Sequence, residues 1–383
     1  HRSRSKSFLY RIKWFSQIDL YELKNNFSFS LLEKKLKKIL QVIKFNLYIR
    51  LIGNKLIYPF FEKFYIEKIN VLKSLEKKIN KLKPDLVIFP TQSQTKADYD
   101  IVKICKKINT KTFFLIDNWD NLSDKSIIYF KPDFLGVWGP QTKKHAIKIQ
   151  NIKSNKIFNL GTPRFQHYFD ARKKKIQDIF KFKYVLFLGT ALEFDEFSIL
   201  KKINEILKKN DIYKGTKLVY RPHPWRMSKK SFNFKKYRNI ILDPQVAKNY
   251  YKKQINLSFQ PDLKYYPKLI KNCEFVVGGL TSMIIESLIM YKKYLITSIP
   301  ERQFNNQYNS LNFHTHFKEL RYVRNIRFCK SMDSFEKTFF SIWKNRSVRD
   351  IKKADFERSY FLHYGNKKYS KKIFEITNKI LYK

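Results

Sequence analysis

Tyr220-Arg221-Pro222-His223-Pro224 carries a guanidinium and an imidazole one residue apart, on a turn that two prolines stiffen by fixing φ. The apolar run Lys217–Tyr220 leads into it, so the pair stands at the end of a strand. Cations held rigidly there suit a phosphate leaving group, and protonated His223 can also donate a proton to it. The plain alternative is a surface loop whose His does nothing. A second feature is Phe275-Val276-Val277-Gly278-Gly279-Leu280-Thr281-Ser282-Met283-Ile284-Ile285-Glu286. Here a strand passes through small and hydroxyl residues into a helix. Gly278 and Gly279 allow a tight turn. Thr281 or Ser282 can cap the helix and bond a phosphate. Glu286, about a turn further in, can accept from ribose hydroxyls. In the plain reading the hydroxyls only cap the helix and Glu286 is solvated.

Three further clusters lie at expected strand ends. Gly189-Thr190 is followed by Glu193, Asp195 and Glu196. Gly189 permits close approach of a phosphate or of another domain. The acids, Glu193 first among them, can position an acceptor, although acids at helix starts are common without function. Asp117-Asn118-Trp119-Asp120-Asn121 offers Asp117 or Asp120 as a general base for an acceptor hydroxyl, and Trp119 as a stacking surface for a sugar ring. Its alternative is an Asx-rich turn that satisfies its own polar groups. Gly161-Thr162-Pro163-Arg164 closes the first half of the chain, and Arg164 is expected to face the cleft on the acceptor side. His314-Thr315-His316 has no Cys or acidic neighbour in sequence and makes a poor metal site, so no metal ligand set is expected. The chain lacks a Walker A loop and the G-x-S-x-G, H-E-x-x-H and G-x-G-x-x-G motifs.

The elements that must position these residues alternate. Apolar runs at Leu86–Phe89, Thr112–Ile116, Phe134–Trp138 and Ile157–Leu160 read as strands, with helices over about 96–108 and 141–150. A polar, Lys-rich segment at 166–182 reads as a linker. A second series follows: Tyr184–Leu188, Lys217–Tyr220, Ile240–Leu242, Phe275–Val277 and Tyr294–Thr297, with helices near 196–209, 263–271 and 281–291. Strands alternating with helices at this spacing predict parallel α/β sheets. The expected architecture is therefore two Rossmann-like domains facing across a cleft: an acceptor domain over 1–165, the linker, a nucleotide-donor domain over 183–345 and C-terminal helices over 346–383. Ligands in such sheets bind at the carboxyl ends of strands, where these motifs lie. The chain begins with His1 rather than Met, and the first domain is expected to start upstream.

The chain has 383 residues, 43% hydrophobic and 17% aromatic, enough for two cores. The net charge of +47 calls for anionic partners: a membrane face, a lipid-linked phosphate, a sugar nucleotide or nucleic acid. Lys is scattered, and no nucleic-acid motif is visible, which argues against nucleic acid. A predicted helix over 31–50 sets Leu32, Leu36, Ile39, Leu40, Ile43 and Leu47 against a Lys-rich face. It is either a membrane-surface helix or an ordinary helix with a solvated basic side. No uncharged apolar run reaches a membrane span, since 275–299 is broken by Glu286, Lys292 and Lys293. Cys105, Cys273 and Cys329 are widely spaced and fit buried thiols in a reducing compartment.

Two α/β halves, an Arg-Pro-His-Pro loop and a Gly-Gly-x-Thr-Ser…Glu turn resemble a GT-B glycosyltransferase of the bacterial surface-polysaccharide group. That group includes polysialyltransferase-like and capsule Kdo-transferase-like enzymes and CDP-glycerol glycerophosphotransferases. The series Asp-Asn-Trp-Asp-Asn…Gly-Val-Trp-Gly…Gly-Thr-Pro-Arg over 117–164 is similar to the first half of such enzymes. The resemblance spans roughly residues 84–300. It implies that His223-Pro224 and Thr281-Ser282 bind the phosphate of a nucleotide donor; the strand-end reading adds Gly189, Thr190, Arg221, Gly279 and Glu286 as donor-binding residues. It implies transfer of a sugar from a nucleotide donor to a lipid-linked or polysaccharide acceptor, with no further cofactor and no metal. The expected place is the cytoplasmic side, peripheral to the anionic inner face of the plasma membrane. A CDP-glycerol-type glycerophosphotransferase or a UDP-sugar 2-epimerase would use the same fold, and a basic nucleic-acid-binding protein is a further alternative.

Overall fold

The computed structural model describes residues 71–90, 96–125, 128, 130–175, 177–192, 194–224, 232–251, 262–300, 306–365 and 367–382. The expected helix over 31–50 and Glu193 lie outside them. The chain divides into two units. One runs to Leu160 and takes in the chain from Ile373 onward; the other is Gly161–Lys372.

In the first unit, β1 (Leu86–Phe89), β2 (Lys111–Leu115), β3 (Phe134–Val137) and β4 (Ile157–Asn159) form a parallel sheet in the order β1-β2-β3-β4. Helices α1 (Lys73–Leu82), α2 (Lys96–Lys107) and α3 (Pro140–Lys148) connect and flank them. Phe113, Phe114, Leu135 and Val137 are buried, as strands covered on both faces require.

The second unit opens with α4 (Gln166–Lys173) and then alternates: β5 (Lys183–Leu188), α5 (Glu196–Lys209), β6 (Thr216–Arg221), β7 (Ile240–Leu242), α6 (Pro244–Tyr251), α7 (Tyr265–Asn272), β8 (Val276–Gly278), α8 (Met283–Ile289) and β9 (Tyr294–Thr297). It closes with α9 (Asn306–Phe313), α10 (Thr315–Lys318), β10 (Ile326–Cys329), α11 (Phe335–Lys344) and α12 (Ile351–Phe361). The last helix, α13 (Tyr369–Leu381), runs across the unit boundary. The six strands are parallel, in the order β10-β9-β8-β5-β6-β7.

β5 shows why the sequence folds this way. Tyr184 to Leu188 are all buried, a continuous apolar run suited to the middle of a parallel sheet. Each such side chain removed from water contributes about 1.5–3 kcal/mol. α5 starts where the Asp195 carboxylate accepts the Ser198 N–H at 3.1 Å. It buries Ile199, Leu200, Ile203, Ile206 and Leu207 along one stripe and ends with Lys208 and Lys209 against its negative end.

Two boundaries differ from the sequence reading. Residues 166–182 are not a free linker, because α4 is tied into the second unit. Lys271 Nζ donates to the carbonyls of Ala171, Arg172 and Lys174, at 3.1, 3.1 and 2.5 Å, closing the carbonyl end of α4. Phe169 stacks on Tyr364, and Arg172 bonds Asp355 at 2.9 Å. Nor are residues 346–383 one block of helices: the end of α13 belongs to the first unit, where Lys111 Nζ donates to the Ile380 carbonyl at 2.5 Å. β10, α6 and α9 have no counterpart in the sequence reading. His314 precedes and His316 lies within the short α10. All three cysteines are buried and free. No helix among the described residues is long and apolar enough to cross a membrane.

Candidate functional site

The second sheet reverses direction at β5. The chain moves outward through β6 and β7, then returns to the other side of β5 with β8. The loops after β5 and β8 therefore part, and a crevice opens at their carboxyl ends. Register aligns the three neighbours: Leu188 pairs with Arg221 on one side and with Gly278 on the other. Gly189-Thr190, Pro222-His223 and Gly279–Ser282 thus leave one edge of the sheet from adjacent strands. Three stretches distant in sequence meet here because parallel strands end together.

Gly189 is required by packing. A Cβ on it would lie 2.9 Å from the His223 backbone N, 3.1 Å from Pro222 Cα and 2.8 Å from Glu196 Oε2. The close approach at this glycine is made by the 222–223 loop of the same unit, not by the phosphate or other domain that the sequence reading expected. Its N–H donates to the Arg221 carbonyl at 2.8 Å. Glu196, 5% exposed, accepts from Tyr220 Oη at 2.6 Å and from the Thr190 N–H at 3.3 Å. Its carboxylate braces the loop after β5 against β6. His223 is half-buried above Gly189.

Arg221 closes β6 and is 8% exposed. Among the described residues its guanidinium has one hydrogen-bond partner, Tyr266 Oη at 3.4 Å, and lies 5.3 Å from that ring's centre. No carboxylate among them stands at ion-pair distance. Tyr266 and Tyr265 donate to Asp243 at 3.1 and 2.8 Å. Burial raises the Asp243 pKa, against the lowering effect of these hydrogen bonds and of the Arg221 charge. A buried guanidinium with one long neutral bond carries charge that its surroundings do not match.

On the β8 side, the Gly279 carbonyl accepts from Tyr294 Oη at 3.0 Å. Thr281 Oγ1 accepts the Met283 N–H at 3.4 Å, whereas Ser282 makes no capping bond. Both hydroxyl residues are partly exposed. Glu286 is 4% exposed, so it is not a solvated helix residue. It accepts from Tyr168 Oη and from Arg164 Nη2, the latter at 3.3 Å. Burial, followed by the Glu286 charge, raises the Tyr168 pKa well above that of an ordinary phenol. Arg164 Nη2 also donates to Ser282 Oγ at 3.4 Å.

Arg164 is therefore placed differently from the sequence reading. It belongs to the second unit, beside Ser282 and Glu286, because that unit begins at Gly161. Gly161 has φ of +77°, and a Cβ there would stand 2.3 Å from the His363 carbonyl oxygen. Tyr168 and Tyr266 escaped the sequence reading altogether. Tyr168 lay in the supposed linker, where the adjacent Tyr168-Phe169 pair was the available sign of burial.

The first-unit cluster is more self-contained than expected. Asp117 follows β2 and accepts from Asn121 Nδ2 at 2.5 Å and Asn118 Nδ2 at 3.1 Å. The Asp120 carbonyl accepts from Asp124 N at 2.9 Å and starts the turn Asn121–Lys125. Trp119 is only 3% exposed, and its indole N–H donates to Gln141 at 2.7 Å. The ring packs in the core of the first unit, which corrects its reading as a stacking surface for a sugar.

Neither a protein-family model nor a curated protein matches the sequence. Solved structures do match in fold. A putative UDP-N-acetylglucosamine 2-epimerase from Listeria monocytogenes is 11% identical, over 80% of this chain and 78% of that one, with a TM-score of 0.51. The UDP-GlcNAc 2-epimerase of Neisseria meningitidis, solved bound to UDP-GlcNAc, is 14% identical over 80% and 79%, with a TM-score of 0.51. The fold is GT-B. The wall teichoic acid polymerase TagF aligns over 93% of this chain and 99% of that one at 11% identity, with a TM-score of 0.45.

Proposed function

We propose that this chain is a GT-B glycosyltransferase that moves a sugar from a nucleotide-activated donor to a lipid-linked or polysaccharide acceptor in bacterial surface-polysaccharide synthesis. The observation that carries the reading is Arg221: a buried cation, short of partners, at the strand ends where an α/β sheet binds its ligand. A nucleotide phosphate completes its bonding. His223 stands over the same loop, and Gly279, Thr281 and Ser282 line the adjoining strand end. Glu286, held by Tyr168 and Arg164, meets the ribose when Arg164 turns aside; the Arg164 side chain is 44% exposed and has room to do so.

In the transfer, the acceptor oxygen attacks the anomeric carbon while the bond to the donor phosphate oxygen breaks. The nucleotide leaves with the electron pair, and Arg221 and protonated His223 meet its charge, so the step calls for no metal ion. Asp117 or Asp120 takes the acceptor proton. The enzyme works on the cytoplasmic side, at the anionic inner face of the plasma membrane.

The test is a thermal-shift panel of CMP, CDP, UDP and GDP with wild-type protein and Arg221→Gln. One nucleotide should raise the wild-type Tm through linkage. If none does, or if the variant responds equally, the reading fails. The two epimerase structures favour one second reading, a UDP-sugar 2-epimerase. Incubation with donor alone separates the two: an epimerase yields a new UDP-sugar without any acceptor, and a transferase does not. Release of glycerol phosphate from CDP-glycerol would instead mark a glycerophosphotransferase.

A further inference from the structure

The opposite edge of the second sheet carries a separate cationic cavity of about 220 Å³. Lys293 immediately precedes β9, and Asn325 immediately precedes β10, so the cavity lies at the amino ends of strands whose carboxyl ends turn toward the candidate donor site. Lys293, Arg324, Arg349 and Lys353 line it together with Asp350 and Glu357. Asp350 accepts the Lys353 N–H at 2.9 Å; Glu357 accepts the Arg324 N–H at 3.0 Å and also pairs with the Arg324 guanidinium at 3.8 Å, so Lys293, Arg349 and Lys353 carry the excess charge. Four cations against two acids leave the cavity positive. Burial and the like charges of Arg327 and Arg349 lower the Lys293 pKa, as crowding of positive charge requires.

Aromatic side chains flank the same segments. Tyr322, two residues before Arg324, is 82% exposed, and Phe356, one turn along α12 from Lys353, is 77% exposed. A site for free phosphate has no use for bare aromatic rings. An interfacial surface needs both features: cations for lipid phosphates, and rings that lodge among the headgroups.

We propose that this edge is the membrane-docking face of the protein, with the cavity taking the phosphate of an anionic lipid headgroup and Tyr322 and Phe356 entering the interface. This rests on the membrane partner of the proposed function and is independent of its donor chemistry. The test is co-sedimentation of the full chain with phosphatidylcholine vesicles, with and without phosphatidylglycerol. Wild type should bind only the anionic vesicles. Arg349→Gln with Lys353→Gln should weaken that binding by about thirtyfold. Tyr322→Ser with Phe356→Ser should make it far more salt-sensitive. Because any basic surface attracts anionic lipid, the control is Lys201→Gln with Lys208→Gln on α5, which removes the same charge elsewhere. Equal losses in the control and cavity variants would overturn the proposal. So would a cavity that binds inorganic phosphate while its variants keep full vesicle binding. The nucleotide-induced Tm shift, read on the same variants, should be unchanged. A wild type without that shift but with site-specific vesicle binding would sink the donor reading and leave the docking face standing.

Discussion

At the residue scale, two positions decide whether the strand-end loops form a site. Arg221 is buried with one neutral partner among the described residues, so its charge is available to an anion. Arg221→Gln should keep the fold and weaken nucleotide binding by about 10- to 100-fold, the worth of one or two hydrogen bonds to a charged group. Titration calorimetry with the nucleotide selected by the thermal panel measures it. Gly189 acts on shape. A methyl group there meets the His223 backbone N at 2.9 Å, and backbone yields less readily than a side-chain tip. Gly189→Ala should cost about 1–3 kcal/mol by overpacking and also weaken nucleotide binding, because His223 must move. Urea unfolding and calorimetry read the two effects separately. Unchanged binding would show that the position of His223 is immaterial.

At the element scale, α4 is fastened to α12 by Arg172 and Asp355 at 2.9 Å, with Tyr291 also donating to Asp355 at 2.6 Å. Burial alone would raise the Asp355 pKa, but the bonds from Tyr291 and Arg172 and the charge of Arg358 outweigh it and hold it below the ordinary carboxylate value. The sign follows from linkage. A lowered folded pKa contributes stability that is present above the unfolded pKa and lost as pH falls through the folded one. Asp355→Asn should therefore cost about 2 kcal/mol near neutrality and progressively less in acid, as wild type loses the same contribution. Denaturant titrations at pH 7 and in acid measure the difference; a pH-independent loss would contradict the pairing. This clamp also explains why 166–182 reads as a linker in sequence. Polarity there reflects Arg172 bonding across to helices that come more than a hundred residues later.

At the scale of the whole molecule, the chain ends in the first unit although most of its C-terminal helices belong to the second. Ile380 is 3% exposed, and its carbonyl holds Lys111 at the start of β2. Removing residues 373–383 should lower the unfolding temperature of the first unit and leave the nucleotide-induced shift of the second intact. Calorimetry with and without nucleotide checks both. Loss of the nucleotide response on truncation would count against the division of the chain at these points.

The local apolar runs were sufficient to call the strands of both sheets other than β10, because a strand covered on both faces must be apolar along its length, as Tyr184–Leu188 and Tyr294–Thr297 are. β10 is a short edge strand that carries exposed Arg327, so its pattern resembles a loop. The types and order of the strand-end residues, Arg221-Pro222-His223 and Gly279…Glu286, were legible for the same reason: they directly follow apolar runs. Sequence could not decide what each side chain touches. Trp119 bonds Gln141 in a core, Glu286 is held by Tyr168 and Arg164, and Arg164 belongs to the second unit; these partners lie 22, 118 and 122 residues apart. Pairing over such distances is set by strand order and helix packing. Only the tertiary structure could place a half-paired Arg221 at the point where the sheet reverses.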